Sequence, residues 1–214
     1  MEIIPYAEGI YGATTYLIYD KISHEAMLID ATSCVDKIQE TVKKNKLNLK
    51  YILLTHGHFD HVYCLSKFKK IFPYALTFIN EQDISLLDNI EVQCNMAGVE
   101  NVNLPCIDGL IHEESKNIKL GDNEIKLIHT PGHSEGSMCY LINNVLFSGD
   151  TLFRASIGRC DLSGGSYEKI EKSIKEKLFK LPNNITVYPG HGESTLIEYE
   201  KKYNPYFGEI ANGK

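Results

Sequence analysis

The alternation of apolar and polar positions divides the chain into short strands and amphipathic helices. Residues 3–29 are strand-like. Within them 14–19 (Thr-Thr-Tyr-Leu-Ile-Tyr) and 26–29 (Ala-Met-Leu-Ile) are rich in β-branched, aromatic and aliphatic side chains, and the polar stretch 20–25 joins them as a turn. Residues 35–46 put Val35, Ile38 and Val42 on one helical stripe. The unbroken apolar run 51–54 predicts a strand covered on both faces. A helix over 62–71, a strand over 75–79 and a helix over 81–87 follow. Residues 88–116, with Gly98, Pro105 and Gly109, read as irregular, a length that is uncommon unless it serves a function. A second β-rich block covers 118–120, 124–128, 137–142 and 145–148, with Asn143-Asn144 as a hairpin turn. Residues 167–178 predict a helix with Ile170, Ile174 and Leu178 on one face, 185–188 a short strand, and 198–203 a last helix. Both halves run from strands into helices. That order suits two stacked sheets with helices outside, not a doubly wound parallel sheet. With no repeat, low-complexity segment or flexible linker, residues 1–214 read as one domain.

The stretch 54–62, Leu-Thr-His-Gly-His-Phe-Asp-His-Val, stands directly after the apolar strand 51–54 and changes the picture from fold to chemistry. Imidazole nitrogens and a carboxylate are the ligands that a borderline divalent metal prefers. Alternate residues of an extended segment share a face, so His56 and His58 can grip one ion, while Asp60 and His61, past the turn, point towards a second. Three further metal-capable residues follow the same rule. His133 (Thr-Pro-Gly-His-Ser), Asp150 (Phe-Ser-Gly-Asp-Thr) and His191 (Tyr-Pro-Gly-His-Gly) each stand just past an apolar strand with a glycine immediately before them. Glycine there lets the backbone turn sharply and approach a site closely. Asp30, closing the strand 26–29, either caps a local turn or reaches under the histidine loop to orient it. His24, His112 and His129 lack this setting and read as ordinary histidines.

Charge and cysteine content exclude several classes. A formal charge of −6 argues against a broad nucleic-acid surface. No apolar run approaches a bilayer span, and the start Met-Glu-Ile-Ile-Pro lacks a basic segment followed by an apolar one, so a cytoplasmic protein without a membrane partner is expected. The six scattered cysteines form no Cys-x-x-Cys pair and read as buried free thiols.

Taken together these motifs resemble the metallo-β-lactamase fold superfamily, whose His-x-His-x-Asp-His loop falls on His56, His58, Asp60 and His61. Its later histidine falls on His133, its bridging aspartate on Asp150 and its last histidine on His191. The resemblance implies that His56, His58 and His133 hold the first metal, that Asp60, His61 and His191 hold the second, and that Asp150 bridges them. It also implies a four-layer αβ/βα sandwich of two mixed sheets with helices on the outer faces. Gly149-Asp150-Thr151-Leu152-Phe153 and Tyr188-Pro189-Gly190-His191-Gly192 are similar to the hydroxyacylglutathione hydrolase (glyoxalase II) branch. That enzyme carries a C-terminal helical region that helps hold glutathione. Here residues 192–214 are a short tail, so the chain looks more like the short glyoxalase II-like bacterial hydrolases.

Two cations sharing a water lower its pKa to about 7, so hydroxide is available at neutral pH. A thioester suits such a site because its thiolate leaving group, with a conjugate acid near a pKa of about 8.5, departs without a strong general acid. The expected activity is therefore hydrolysis of a small-molecule thioester of a hydroxy acid by a metal-bridging hydroxide, with Asp60 and Asp150 as catalytic carboxylates. Zinc is the first expectation for the two ions, and iron and manganese suit the same ligands. Arg154 and Arg159 are the two arginines of a chain whose other basic residues are lysines. Arg159 reads as structural, bonding a carboxylate such as Asp161, and Arg154 as either structural or binding a substrate carboxylate. Persulfide dioxygenases and lactonases share the layout, and a non-catalytic metal-binding protein is the alternative from another class. Gly132-His133-Ser134-Glu135-Gly136 also matches the Gly-x-Ser-x-Gly nucleophile elbow, but an elbow must open a helix, and 137–142 reads as a strand.

Overall fold

The computed structural model describes residues 1–112 and 114–212. Packing divides the chain into two compact units, one of residues 1–112 with 119–123, the other of the described parts of 113–118 and 124–214.

The first unit is built on a six-stranded mixed sheet in the order β1 to β6: β1 (Glu2–Tyr6), β2 (Thr15–Tyr19), β3 (Glu25–Ile29), β4 (Asn48–Leu53), β5 (Leu76–Asn80) and β6 (Gly109–Ile111). Strands β1 to β3 are antiparallel neighbours, whereas β3, β4, β5 and β6 pair in parallel. Parallel neighbours need crossover connections, and helices make them: α1 (Val35–Lys44), α2 (Phe59–Val62), α3 (Leu65–Ile71), α4 (Ile84–Asp88) and α5 (Ile90–Ala97). The stripe expected on α1 is real, since Ile38 and Val42 are buried in one cluster with Leu17, Leu28, Ile52, Leu65 and Phe68. Consecutive Ile52 and Leu53, which point to opposite faces of β4, are both fully buried, as an unbroken apolar strand requires.

Two expectations are corrected here. The helix expected over 62–71 begins earlier and breaks, because the Cys64 N–H donates to the Ala31 carbonyl at 2.8 Å and not to a helical one. Asp60 and His61 therefore stand on a helical turn. Residues 88–116 are not irregular throughout: they hold α5, which buries Ile90 and Cys94 and ends on Gly98 at φ 68°, and the edge strand β6. Gly98 and Gly109 stand at the ends of these two elements, and Pro105 lies in the irregular stretch 99–108 between them.

The second sheet contains β7 (Ile118–Leu120), β8 (Asn123–His129), β9 (Met138–Ile142), β10 (Val145–Gly149), β13 (Thr186–Pro189) and β14 (Thr195–Leu196), in the order β14-β13-β10-β9-β8-β7. Strands β8, β9 and β10 form a meander turned by Asn143 at φ 53°, and β13 returns parallel to β10. A two-stranded hairpin, β11 (Leu152–Phe153) with β12 (Ser156–Ile157), leaves the end of β10. Helix α6 (Tyr167–Lys172) continues through a wider turn, Ser173–Lys177, and a tight one, Leu178–Lys180; α7 (Ile197–Tyr203) follows β14. Ile170, Ile174 and Leu178 are fully buried on one line with Cys139, Leu146 and Val187. Among the described residues, no helix is long and apolar enough to cross a membrane.

Candidate metal centre

In the first unit the histidine loop follows β4, and one buried carboxylate organises it. Asp30, 1% exposed and at φ 61° just past β3, accepts the Thr55 N–H at 2.7 Å and the Thr55 hydroxyl at 2.9 Å. It also sits 2.8 Å from His61 Nδ1. Of the two roles open to Asp30, the structure gives it the second, beneath the loop. Thr55 has one hydroxyl proton and spends it on Asp30, so its oxygen can only accept from His56 Nδ1, 3.0 Å away. Asp30 thus fixes two imidazoles, one directly and one through Thr55. With Nδ1 carrying the proton in each ring, Nε2 keeps the lone pair that a metal needs.

The loop backbone is gripped from the α4–α5 side. The Gly57 N–H donates to Asp83 Oδ2 at 2.9 Å, and the Phe59 N–H donates to Gln93 Oε1 at 3.0 Å. Gln93 Nε2 in turn donates to the Leu86 carbonyl at 2.7 Å. A Cβ on Gly57 would lie 2.9 Å from both the Asp83 carbonyl oxygen and Leu86 Cβ, so only glycine fits there unmoved. The rings of His56 and His58 meet edge to face at 4.7 Å, and those of His56 and His61 lie 4.2 Å apart. Asp60 Oδ2 is 3.8 Å from His61 Nε2. All four motif residues are brought together, with His56, Asp60 and His61 buried.

In the second unit three strand ends converge. His133 follows β8, Asp150 is the residue after β10, and His191 follows β13, whose neighbour Gly190 donates its N–H to the Gly149 carbonyl at 2.8 Å. His133 Nδ1 donates to the Arg159 carbonyl at 2.8 Å, which again leaves Nε2 as the acceptor nitrogen. His133 Nε2 and His191 Nε2 face the same oxygen of Asp150 at 3.6 and 3.5 Å. Those separations exceed hydrogen-bond length and leave room for an ion beside the carboxylate.

Several supporting residues escaped the sequence reading. Gly158 is the tightest: a Cβ there would come within 1.8 Å of the Asp150 carbonyl oxygen and 3.2 Å of His133 Cβ. Buried Thr130 and Thr151, whose hydroxyls are 2.9 Å apart, tie the segment before His133 to the one after Asp150. Beneath them Cys139 is fully buried, and burial pushes its thiol up to about 11, so it stays protonated. The spacing Asp-x-x-x-x-x-x-x-Gly from Asp150 to Gly158 carries no signal by itself, and a lone threonine even less.

The remaining expectations fall into place individually. His24, His112 and His129 bond to the Asn45 carbonyl, Glu81 and the Glu135 carbonyl respectively. Ser134 is fully buried with its hydroxyl 2.7 Å from that of Ser137, and the strand β9, not a helix, follows. Arg159 forms a two-pronged pair with Asp161, Nε and Nη2 each 2.9 Å from a carboxylate oxygen. Arg154 pairs with Glu193 at 3.0 Å. The six cysteines are all free, as expected, but not all buried: Cys64, Cys94 and Cys139 are, Cys34 and Cys160 are half-buried, and Cys106 is exposed.

The family described as the metallo-beta-lactamase superfamily matches residues 9–191. The chain belongs to the metallo-beta-lactamase superfamily. A curated relative, hydroxyacylglutathione hydrolase GloC of Haemophilus influenzae, is 33% identical over 208 residues, covering 96% of this chain and 97% of that one. Among solved structures, that of the B3 metallo-beta-lactamase BLEG-1 is similar with a TM-score of 0.87 at 29% identity, covering 96% of this chain and 99% of the other. TTHA1623 in a di-iron-bound form is similar with a TM-score of 0.85 at 28% identity, covering 95% and 100%. Two mixed sheets with helices are the superfamily's αβ/βα class, as expected from the sequence. Membership of this superfamily of metallo-hydrolases makes the chain an enzyme of hydrolase type, and its histidine and aspartate side chains make a candidate metal centre.

Proposed function

We propose that residues 1–214 act as one domain that holds two divalent cations and hydrolyses a thioester of a small hydroxy acid. On the superfamily's pattern, His56, His58 and His133 would hold one ion and Asp60, His61 and His191 the other, with Asp150 serving both. One observation carries the reading: His56, His61 and His133 each have Nδ1 committed to a hydrogen bond, which presents Nε2 for coordination. The donor set of imidazoles and carboxylates suits zinc first, with iron and manganese next. The di-iron form of TTHA1623 supports iron as a real competitor.

When bound, two such ions supply Lewis acidity at the carbonyl and an acidified water. The chain's own part is positional. Asp60, 8% exposed and beside His61, would orient the attacking oxygen, and Asp150, with Gly158 packed against its carbonyl, would present its carboxylate to the same ions as His133 and His191. A thiolate leaving group needs no protonation from the protein, because its conjugate acid has a pKa of about 8.5. The relative named for hydroxyacylglutathione hydrolysis supports this substrate class. Six free cysteines favour a reducing compartment such as the cytoplasm, and the net charge of −6 favours a small-molecule partner over nucleic acid. The likeness to BLEG-1 supports a second reading, hydrolysis of a β-lactam amide.

A panel of a lactoyl thioester, a lactone, a persulfide and a β-lactam separates these readings. The thioester is expected to show a kcat/KM at least about ten-fold above the others, a transition-state difference of about 1.4 kcal/mol. Activity should vanish on chelation and return with zinc, iron or manganese. Equal thioester cleavage by stripped protein, or a preference for the β-lactam, rejects the proposal.

A further inference from the structure

The two arginines are used in different ways. Arg159 is saturated by Asp161, which takes both prongs of its fork. Arg154 is held by Glu193 through a single nitrogen, Nη1, and the two side chains are 52% and 80% exposed. An exposed one-point ion pair adds little stability, so fold maintenance does not explain it.

The elements around Arg154 are nevertheless built with care. Arg154 and Ala155 form the tip of the β11–β12 hairpin, where Phe153 pairs with Ser156. Ala155 lies at φ 52°, a left-handed conformation that a residue with a Cβ adopts at a cost. A buried carboxylate on α7 holds it there: both oxygens of Glu200 accept the Ala155 N–H at 3.1 Å. Glu200 is itself fixed by the Thr195 hydroxyl at 2.6 Å and Asn204 Nδ2 at 2.8 Å. Asn204 Nδ2 also donates to the Ser156 carbonyl at 3.1 Å, which ties the second strand of the hairpin to the same helix. Next to Glu200 on α7, the Tyr199 ring lies 5.6 Å from the Arg154 guanidinium carbon and is backed by the Tyr203 ring at 5.1 Å. The guanidinium thus rests on an aromatic platform while the tip of its hairpin is pinned.

Its position within the second unit relates it to the metal-binding residues. Arg154 is four residues past Asp150, its neighbour Phe153 packs edge-on against the His191 ring at 6.2 Å, and Glu193 is two residues past His191. The ion pair therefore spans the two segments that bring Asp150 and His191 to the centre.

We infer that Arg154, on its Tyr199 platform, is the recognition site for a carboxylate on the substrate, and that Glu193 is an internal stand-in which that carboxylate displaces. The inference rests on the thioester reading for the identity of the molecule, but not for the contact. A planar carboxylate matches the guanidinium with two hydrogen bonds where Glu193 supplies one. The group sits on either the acyl half or the thiol half of the thioester, and the same chemistry recognises both.

The test is calorimetric titration of the metal-loaded protein with three non-hydrolysable thioethers: a neutral one, one with a carboxylate on the acyl side, and one with it on the thiol side. One of the two carboxylate probes is expected to bind about ten-fold tighter than the neutral probe, the equivalent of about 1.4 kcal/mol. That preference should disappear in Arg154→Ala and largely disappear in Arg154→Lys, which keeps the charge and loses the fork. Glu193→Gln should tighten the favoured probe several-fold. If the wild-type protein shows no preference, or if the preference survives in both Arg154 variants, the assignment is wrong. Because no bond is cleaved, failure of the hydrolytic reading leaves this outcome readable.

Discussion

At the scale of single residues, the centre depends on protons that are committed elsewhere. Asp30 takes the Thr55 hydroxyl proton, which forces the Thr55 oxygen to accept from His56, and it holds His61 directly. One side chain that touches no substrate therefore sets the tautomer of two ligands. Replacing Asp30 with Asn keeps the size and loses the charge and part of the accepting capacity. The expected result is a fall of about 10–100-fold in metal affinity, measured by competition with a chelator, while circular dichroism reports an intact fold. Unchanged affinity would show that the imidazoles find their orientation without it. The ligands themselves were legible in sequence because histidine and aspartate after an apolar strand form a spaced pattern. Their supports were not. Thr55, Thr130, Thr151 and Gly158 are residues of common type whose meaning comes from a distant partner, and no spacing announces a Cβ that would collide with the Asp150 carbonyl.

At the scale of elements, strands β4, β8, β10 and β13 were readable from apolar runs, and each delivers ligands just past its end. Helix α5 was not, since its apolar residues leave Val92 and Met96 exposed and the pattern lacks a clear buried stripe. Yet α5 carries Gln93, which accepts the Phe59 N–H and donates to the Leu86 carbonyl, so it holds the histidine loop from the side. Truncating Gln93 to Ala strands these partners in a half-buried setting and is expected to cost about 1–3 kcal/mol of stability, read as a lower midpoint in urea without a change in slope. Metal affinity should fall along with it. A variant as stable as the parent would mean that water replaces the amide there. The helix over 62–71 was misplaced for a related reason. A hydrogen bond from Cys64 to Ala31, 33 residues earlier, decides where the helix breaks, and local periodicity contains no such information.

For the whole molecule, the family match, residues 9–191, runs through both compact units. Ions bound to the folded chain alone stabilise it by mass action, about 4 kcal/mol at a thousand-fold excess over Kd. For a chain of this length that corresponds to a rise on the order of 10 °C in melting temperature. Calorimetry should therefore show one transition for the loaded protein and a markedly lower melting point after chelation. Identical melting with and without chelator would exclude tight binding at this centre. Reductant should change neither curve, since all six thiols are free.

The placement of Arg154 and Glu193 on exposed ground, with every tautomer-setting partner buried or in the backbone, has a practical side. A combinatorial library confined to positions 154 and 193 would vary which molecules are captured and leave the imidazoles as they stand. Selection from it would then sample new preferences in a scaffold that keeps its catalytic hardware.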